Sequence, residues 1–599
     1  MQGVHSFHIP VLGLAFSIDT PVKVARYGIS SVVSIMDDQL IEQMRQYHCA
    51  NNGEAYLPIP EKDSDHRAHR ITAYLNLLDR IVNKQINHIR NLPWGEDNEL
   101  SRYFLLLPQE SPLKISYKKM LRLPEGIEKQ ELQQQLKSEI RPGSIDVNIM
   151  AKVDKTNQDA SGMDLPSEFS DALAAFRGYA NSCLNSSVVF SAGYNPRLYN
   201  YVEQFKDFFP DEQGNLKKRI ILKVSDFRSA LVQGKIFAKK GLWISEFRIE
   251  SGLNCGGHAF ATEGLLLGPI LEEFKSRKSE LITGLFELCC QAQKERNLIG
   301  FKGVPNLRIT VQGGIGTANE DAFLREYFEL DGTGWGSPFL LVPEATNVDA
   351  ETLHELSIAE PSDYYLSDAS PLGVPFNNFR RSSSERQRHN RIDKGRPGSP
   401  CYKKFLASDA EFSSGLLCTS SREYQHLKIK QLQELDLSPE EYEREVSKIM
   451  EKDCLCEGLG ASVFLKDGLP LSHKLTAVTI CPGPNLAYFS GIFSLVEMIG
   501  HIYGRINILN STYRPNMFIN ELNLYLDNYR KKIENCCSLN PKQIKSLQTF
   551  KTNLLEGIDY YKNLLNVFKK ESMQYVNTMR SELEQAAITL KEMQVCYAD

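Results

Sequence analysis

Along the first 370 residues the apolar positions fall in short runs of strand length, separated by longer mixed segments with room for a helix. Residues 8–17 read as a first strand and 29–35 as a second. Between them, 20–28 reads as a helix with Thr20 as cap, Pro21 in its first position and Gly28 at its end. Strand, crossover and parallel strand in that order make a βαβ start. Residues 144–150, 187–193 and 219–225 give the next strands, Leu242, Trp243 and Ile244 mark another, and 307–311 is one more. The last unit, 331–342, carries glycines ahead of an apolar run. Strands alternating with helix-length spacers predict an α/β chain built on a parallel sheet.

The alternation fails in three places. In 50–140, Ile71, Tyr74, Leu75, Leu78, Ile81, Val82 and Ile89 share one helical stripe, and 129–137 is a polar helix. This segment is expected to be a helical insertion after the second strand and is a candidate cover for the site. Residues 379–400 are basic and rich in Ser, Gly and Pro. Their simplest reading is a solvated loop or linker. The sharper one is a loop that recognises phosphate on a carrier-protein pantetheine, a coenzyme A, an NADPH 2′-phosphate or RNA. Beyond Met517, the residues Ile544, Leu547, Phe550, Leu554, Ile558, Tyr561, Leu565 and Phe568 recur every three or four positions, and a second helix follows over 575–595. Such stripes serve a core or a homo-oligomer contact. The organisation expected is a barrel over 1–49 and 141–370, the insertion over 50–140, a basic and cysteine-rich region over 371–510, and a helical region over 511–599.

With 599 residues, the chain has room for a complete (β/α)8 barrel of about 250 residues and more besides. It is 42% hydrophobic and 24% charged, an ordinary globular balance. A net charge of −5 gives no overall attraction to nucleic acid or an anionic membrane. The N-terminus lacks a signal-peptide pattern. The longest apolar stretch, 480–509, is broken by Glu497, His501 and Arg505, which predicts a buried helix and no membrane span. Thirteen cysteines without an export signal imply a reducing, cytoplasmic setting.

The candidate chemistry begins at 250–258, ESGLNCGGH. His258 stands where a strand gives way to a loop, glycines let backbone approach a flat or phosphorylated ligand, and a neutral imidazole exchanges a proton near pH 7. Two more glycine-rich units follow, VQGGIGT at 311–317 and GTGWGSPF at 332–339. In a (β/α)8 barrel, phosphate is held by backbone N–H groups in the loops after strands seven and eight. The order of SGLNCGGH, VQGGIGT and GTGWGSPF resembles the flavin-binding half of the nitronate monooxygenase (2-nitropropane dioxygenase) family, whose relatives include FMN-dependent enoyl-acyl-carrier-protein reductases. The resemblance implies a TIM barrel holding FMN, with His258 as the catalytic histidine beside the flavin after Gly256 and Gly257. It further implies Gly313, Gly314 and Ile315 as the first phosphate turn, and Gly336 with Ser337, in place of the usual Thr, as the second. It also places Gly13 under the flavin ring and Asn148 near it. Lys223 is a candidate to stabilise negative charge on reduced flavin.

The resemblance stops at the barrel. Directly after the basic segment, Cys401, Cys418, Cys454, Cys456 and Cys481 fall within about eighty residues. Loop thiolates of this kind suit an iron–sulfur cluster or a structural zinc, although no CxxC pair is present and ordinary buried thiols are the alternative. The function expected is an FMN-dependent oxidoreductase acting on a small-molecule or acyl-type substrate, with NAD(P)H or a protein as electron donor; a cluster would point to electron delivery to the flavin. Two other readings remain open: a barrel enzyme that binds a different phosphorylated ligand, and an assembly or interaction protein built on the cysteines and the C-terminal helices.

Overall fold

The computed structural model describes residues 3–151, 153–159, 161–191, 193–413, 415–470, 477–534, 540–568 and 571–593. Eight parallel strands close a barrel: β1 (Phe7–Ile9), β2 (Ser30–Ser34), β3 (Ile145–Ile149), β4 (Ser187–Phe190), β5 (Arg219–Val224), β6 (Ile244–Glu250), β7 (Arg308–Gln312) and β8 (Gly332–Gly334). Each pairs with the next, and β8 returns to β1. Runs such as Val188-Val189 and Ile220-Ile221 have both faces covered, as a parallel sheet requires. Inside the barrel, Val32, Val189 and Ile221 form a small apolar cluster of their own. A charged layer sits with them: Glu246 accepts from Thr310 at 2.7 Å and from Arg248 at 2.8 Å, and pairs with Arg308 at 3.2 Å.

Three expectations about the strands and first helix change. β1 stops at Ile9 because Pro10 has no N–H for the ladder. β8 is the glycine-bearing triplet itself; a Cβ on Gly334 would lie 2.8 Å from the Gln312 Cβ, and the apolar run after it is a 3-10 helix, Ser337–Leu341. The first helix is short, Thr20–Val24, and Thr20 does not cap it: its hydroxyl donates to the Ala345 carbonyl at 2.7 Å.

The insertion is helical, with His66–Asn91, Glu99–Leu106, Pro112–Arg122 and Ile127–Glu139. Its apolar stripe is buried on the barrel flank, where Tyr74 donates to the Ile18 carbonyl and Thr72 to that of Gly178, both at 2.9 Å. It is a lateral buttress and does not cover the site: among the described residues lining the main cleft, none comes from 50–140.

Residues beyond 360 build a second layer over the mouth of the barrel. An antiparallel hairpin, β9 (Tyr364–Ser367) and β10 (Phe376–Phe379), is followed by a helix, Ser383–Asp393, where a solvated loop was expected. The helix forms because Ser382 caps it and its arginines find carboxylates: Arg388 pairs with Glu385, and Arg391 with Asp453, both at 2.8 Å. The helix Leu455–Asp467 leans on the barrel, its Leu459 carbonyl accepting from Ala15 N–H at 3.0 Å. Within 480–509 the chain forms only the helix Leu495–Ile502 and a 3-10 turn, and no helix among the described residues is long and apolar enough to cross a membrane.

Three helices close the chain: Met517–Glu534, Pro541–Leu564 and Met573–Glu592. Leu547, Phe550, Leu554, Ile558 and Tyr561 are buried in this chain's own core, so the stripe is used internally. The first of the three meets the barrel through Glu521, which accepts from Ser251 Oγ at 2.6 Å and from Leu267 N–H at 2.8 Å.

Burial pushes the Glu521 carboxyl up to about 7 despite those donors. A carboxyl raised in the folded state keeps its proton where the unfolded chain has lost it. Its contribution to stability is therefore fullest below about pH 4.5 and is lost as pH rises to about 7. Urea unfolding across this range is expected to show wild type losing roughly 3 kcal/mol relative to Glu521→Gln between acid and mildly alkaline pH. A difference that stays constant with pH would contradict the assignment.

Candidate active site

A cleft of about 210 Å³ opens at the C-terminal ends of the strands. Barrel loops supply Gly13 after β1, Lys223 on β5, 250–258 after β6, Gln312 to Ile315 after β7 and Gly334 to Ser337 after β8. The second layer supplies Phe376, Leu459, Ile480, Cys481, Gly483 and Asn485. All but one of the residues predicted to hold FMN, together with His258, are thus brought to one cavity.

Both glycine turns line it, at the ends of the neighbouring strands β7 and β8. Gly314 has φ +78, and a Cβ there would fall 2.3 Å from Asn254 Nδ2, so only glycine fits both the turn and its neighbour. Among the described residues, the backbone N–H groups of Gly313, Gly314, Ile315, Gly336 and Ser337 donate to no protein acceptor. The next two, Gly316 and Thr317, donate to Glu320 Oε2 at 2.9 and 3.2 Å. Arg514 neutralises that carboxylate at 2.7 Å and also donates to the Gly314 carbonyl at 2.7 Å. The charge at this helix start is therefore balanced, and the five unengaged amides all belong to residues that line the cleft. The Ser337 hydroxyl accepts from Gly483 N–H at 2.7 Å and retains its own proton to donate.

His258 lies at the other side. Its Nε2 is 2.7 Å from Ser370 Oγ, and its ring packs edge-on against Phe376 at 5.1 Å. The Ser370 hydroxyl also accepts from Leu372 N–H at 3.2 Å. Backbone holds the loop on both sides: Ala259 N–H donates to Pro375 O at 2.8 Å, Asn377 N–H to Gly257 O at 2.9 Å, and Gly257 N–H to Cys481 O at 3.0 Å.

Lys223 does not stand free at its strand end. Its Nζ is 2.8 Å from Glu250 Oε1, which also accepts from Gln312 Nε2 at 2.6 Å. Asn148 is the exception among the predicted residues: it sits below the cleft in β3 with 1% exposure, and its Oδ1 accepts from Ser191, a cleft residue, at 3.4 Å. Its Nδ2 and the Trp335 Nε1 are both buried without a hydrogen-bond partner.

Sequence reasoning missed Glu250, Gln312, Ser370 and the 481–485 wall. Glu250 and Gln312 lie within the quoted motifs at 250–258 and 311–317, and could have been singled out there as polar residues ending buried strands. Ser370 and the wall left no such signal, since only the chain path brings them to the cleft.

The five cysteines do not all converge. Cys481 stands in the cleft wall, and burial pushes its thiol up to about 12. Cys401 and Cys418 pack with Ala407 away from the cleft, and Cys454 and Cys456 stand at the start of the helix Leu455–Asp467. Among the described residues no group of three or more His, Cys, Asp and Glu side chains is placed to hold a metal ion, so the structure does not bear out the expected cysteine metal site. No protein-family model matches the sequence, and no curated protein matches it either. Function must therefore be argued from the cleft itself.

Proposed function

We propose that the chain is an FMN-dependent oxidoreductase of the nitronate monooxygenase or enoyl reductase type. The observation that carries this reading is the pairing, in one cleft at the mouth of a closed barrel, of five unengaged backbone amides on two glycine turns with an imidazole on the loop after β6. Amides converging from two turns suit a phosphate. The motifs that carry these groups are those that resemble the family.

The residues present fit the cofactor. Gly313, Gly314, Ile315, Gly336 and Ser337 would hold its phosphate, with the Ser337 hydroxyl as a further donor. Lys223, fixed by Glu250, would place a cation over the ring end of the cleft, and Gly13 allows backbone approach from β1. FMN, when bound, supplies two-electron redox chemistry. The remaining work falls to this chain. Ser370 orients the His258 ring, which then takes or gives a proton at the substrate carbon beside it. Cys481, Gly483 and Asn485 wall the cleft and exclude water, which strengthens the pull of Lys223 on any developing negative charge.

Protein purified in the dark and then heat-denatured is expected to release FMN at close to one equivalent per chain; a colourless protein that neither contains nor takes up FMN overturns the reading. Gly314→Ala, which puts a side chain into the Asn254 contact, is expected to lose most of the FMN while keeping the fold by circular dichroism. His258→Asn is expected to keep FMN and to lower kcat by about 10²–10⁴-fold, assayed on a primary alkyl nitronate and a short enoyl thioester, whichever wild type consumes. Undiminished turnover in that variant would remove His258 from the chemistry.

A further inference from the structure

Away from the cleft, a cavity of about 640 Å³ opens in the second layer and shares none of its lining residues with the cleft. Three stretches wall it: the loop 395–404, residues 416–418, and the start of the helix Arg422–Gln433. They are tied to one another, since Ser399 N–H donates to the Ser420 carbonyl at 2.9 Å and Arg422 N–H to the Ser399 carbonyl at 2.8 Å. Gly398 lets the loop come this close: its φ is +81, and a Cβ there would fall 2.6 Å from the Arg422 Cα.

The basic residues of this layer divide into two groups. Outside the cavity they are neutralised: Arg381 pairs with Glu355, Arg388 with Glu385, Arg391 with Asp453 and Lys403 with Asp37. Arg396, Lys404, Arg422 and His426 line the cavity, and among the described residues their side chains make no hydrogen bond or ion pair. Arg422 is half-buried, and its Nε is out of reach of water without an acceptor; a guanidinium N–H so placed calls for one. Glu423 is the one carboxylate among the described lining residues, so two arginines and a lysine against it leave the wall with a net charge of +2. That surplus stands out in a chain whose net charge is −5.

We propose that this cavity binds a phosphate monoester carried on an apolar or aromatic body of nucleotide size. Such a group bears about −1.5 to −2 at pH 7, which matches the surplus of the wall. Arg422 offers a planar fork for two phosphate oxygens, and Arg396 and Lys404 bring further cationic donors. The Ser421 hydroxyl accepts from Tyr424 N–H at 3.2 Å and retains its own proton to donate. The helix that begins at Arg422 favours negative charge at the same end. Phosphate alone would fill little of the volume, which lies within the range of about 300–1,000 Å³ typical of small-molecule pockets. Pro397, Leu416, Leu417 and Ile429 give the body of the ester an apolar surface. A polyanion such as RNA calls for a longer basic track than three cations provide. The inference does not rest on the flavin reading, because the two sites have no lining residue in common.

The test is calorimetric titration of adenosine monophosphate into the full chain at low salt, with excess FMN present. One AMP per chain is expected, and adenosine is expected to bind at least about tenfold more weakly for want of the charge-assisted bonds to phosphate. Lys404→Gln/Arg422→Gln is expected to weaken AMP at least about tenfold and to leave FMN content as in wild type. Should that variant not fold, Arg396→Gln/Lys404→Gln, at two exposed positions, gives the same reading. Gly314→Ala, which alters the cleft, is expected to bind AMP as wild type does. Affinity that falls in Gly314→Ala and not in the Lys404 variants puts the ligand in the cleft and overturns the proposal, as does the absence of binding at millimolar AMP. Inorganic phosphate that binds as tightly as AMP overturns the assignment of an apolar body.

Discussion

The loop after β6 cannot hold its own shape, and much of the molecule beyond the barrel is arranged to hold it. Residues 251–258 contain three glycines and no regular structure, so their conformational entropy must be offset by contacts from outside. Those contacts come from three directions. Met517–Glu534 grips the loop from behind, where Glu521 takes the Ser251 hydroxyl and Asn520 donates to Asn254 at 3.0 Å. The β9–β10 hairpin adds a strand-like edge along Gly257 to Ala259, and Cys481 accepts from Gly257. The C-terminal helices, which read as remote from chemistry, thus fix the position of His258.

The same logic applies to the glycine turns after β7 and β8. A carboxylate at the start of the helix Ala318–Tyr327 would repel an anion, yet Glu320 is needed there to cap it. Arg514 resolves the conflict by pairing with Glu320 while bonding Gly314 and the Asn485 side chain. A residue two hundred positions away thereby sets both the charge and the shape of the first turn. Removal of either partner would leave a buried charge uncompensated, which is far more costly than the pair is stabilising.

Legibility followed the range of the forces involved. Seven of the eight barrel strands were readable because each carries apolar residues in a short run bounded by turn or helix signals, even where polar residues such as Asp146 or Glu246 interrupt it. The eighth was not: a glycine-bearing triplet is a strand only because β1 and β7 flank it. The helix Ser383–Asp393 was hidden because its basic composition resembles a solvated loop, and the carboxylates that neutralise it, Glu385 apart, lie at Glu351 and Asp453, distant in sequence. Glycine turns and His258 were visible as local motifs. Ser370 and the 481–485 wall were not, because no local pattern marks a residue whose role is to meet another loop.

The second layer also reaches the cleft histidine through one hydroxyl. Ser370 is completely buried, and its Oγ lies 2.7 Å from His258 Nε2. The segment that carries it is held through its carbonyls at Ala369 and Pro371 by the Asp453 N–H and the Thr419 hydroxyl. Two hydrogen bonds to flanking carbonyls fix the backbone on either side of Ser370, and its side chain, locked by burial, carries that placement to the imidazole. Residues distant in sequence from the loop after β6 thus set the position of its histidine, although Cys401, Cys418, Cys454 and Cys456 do not line the cleft.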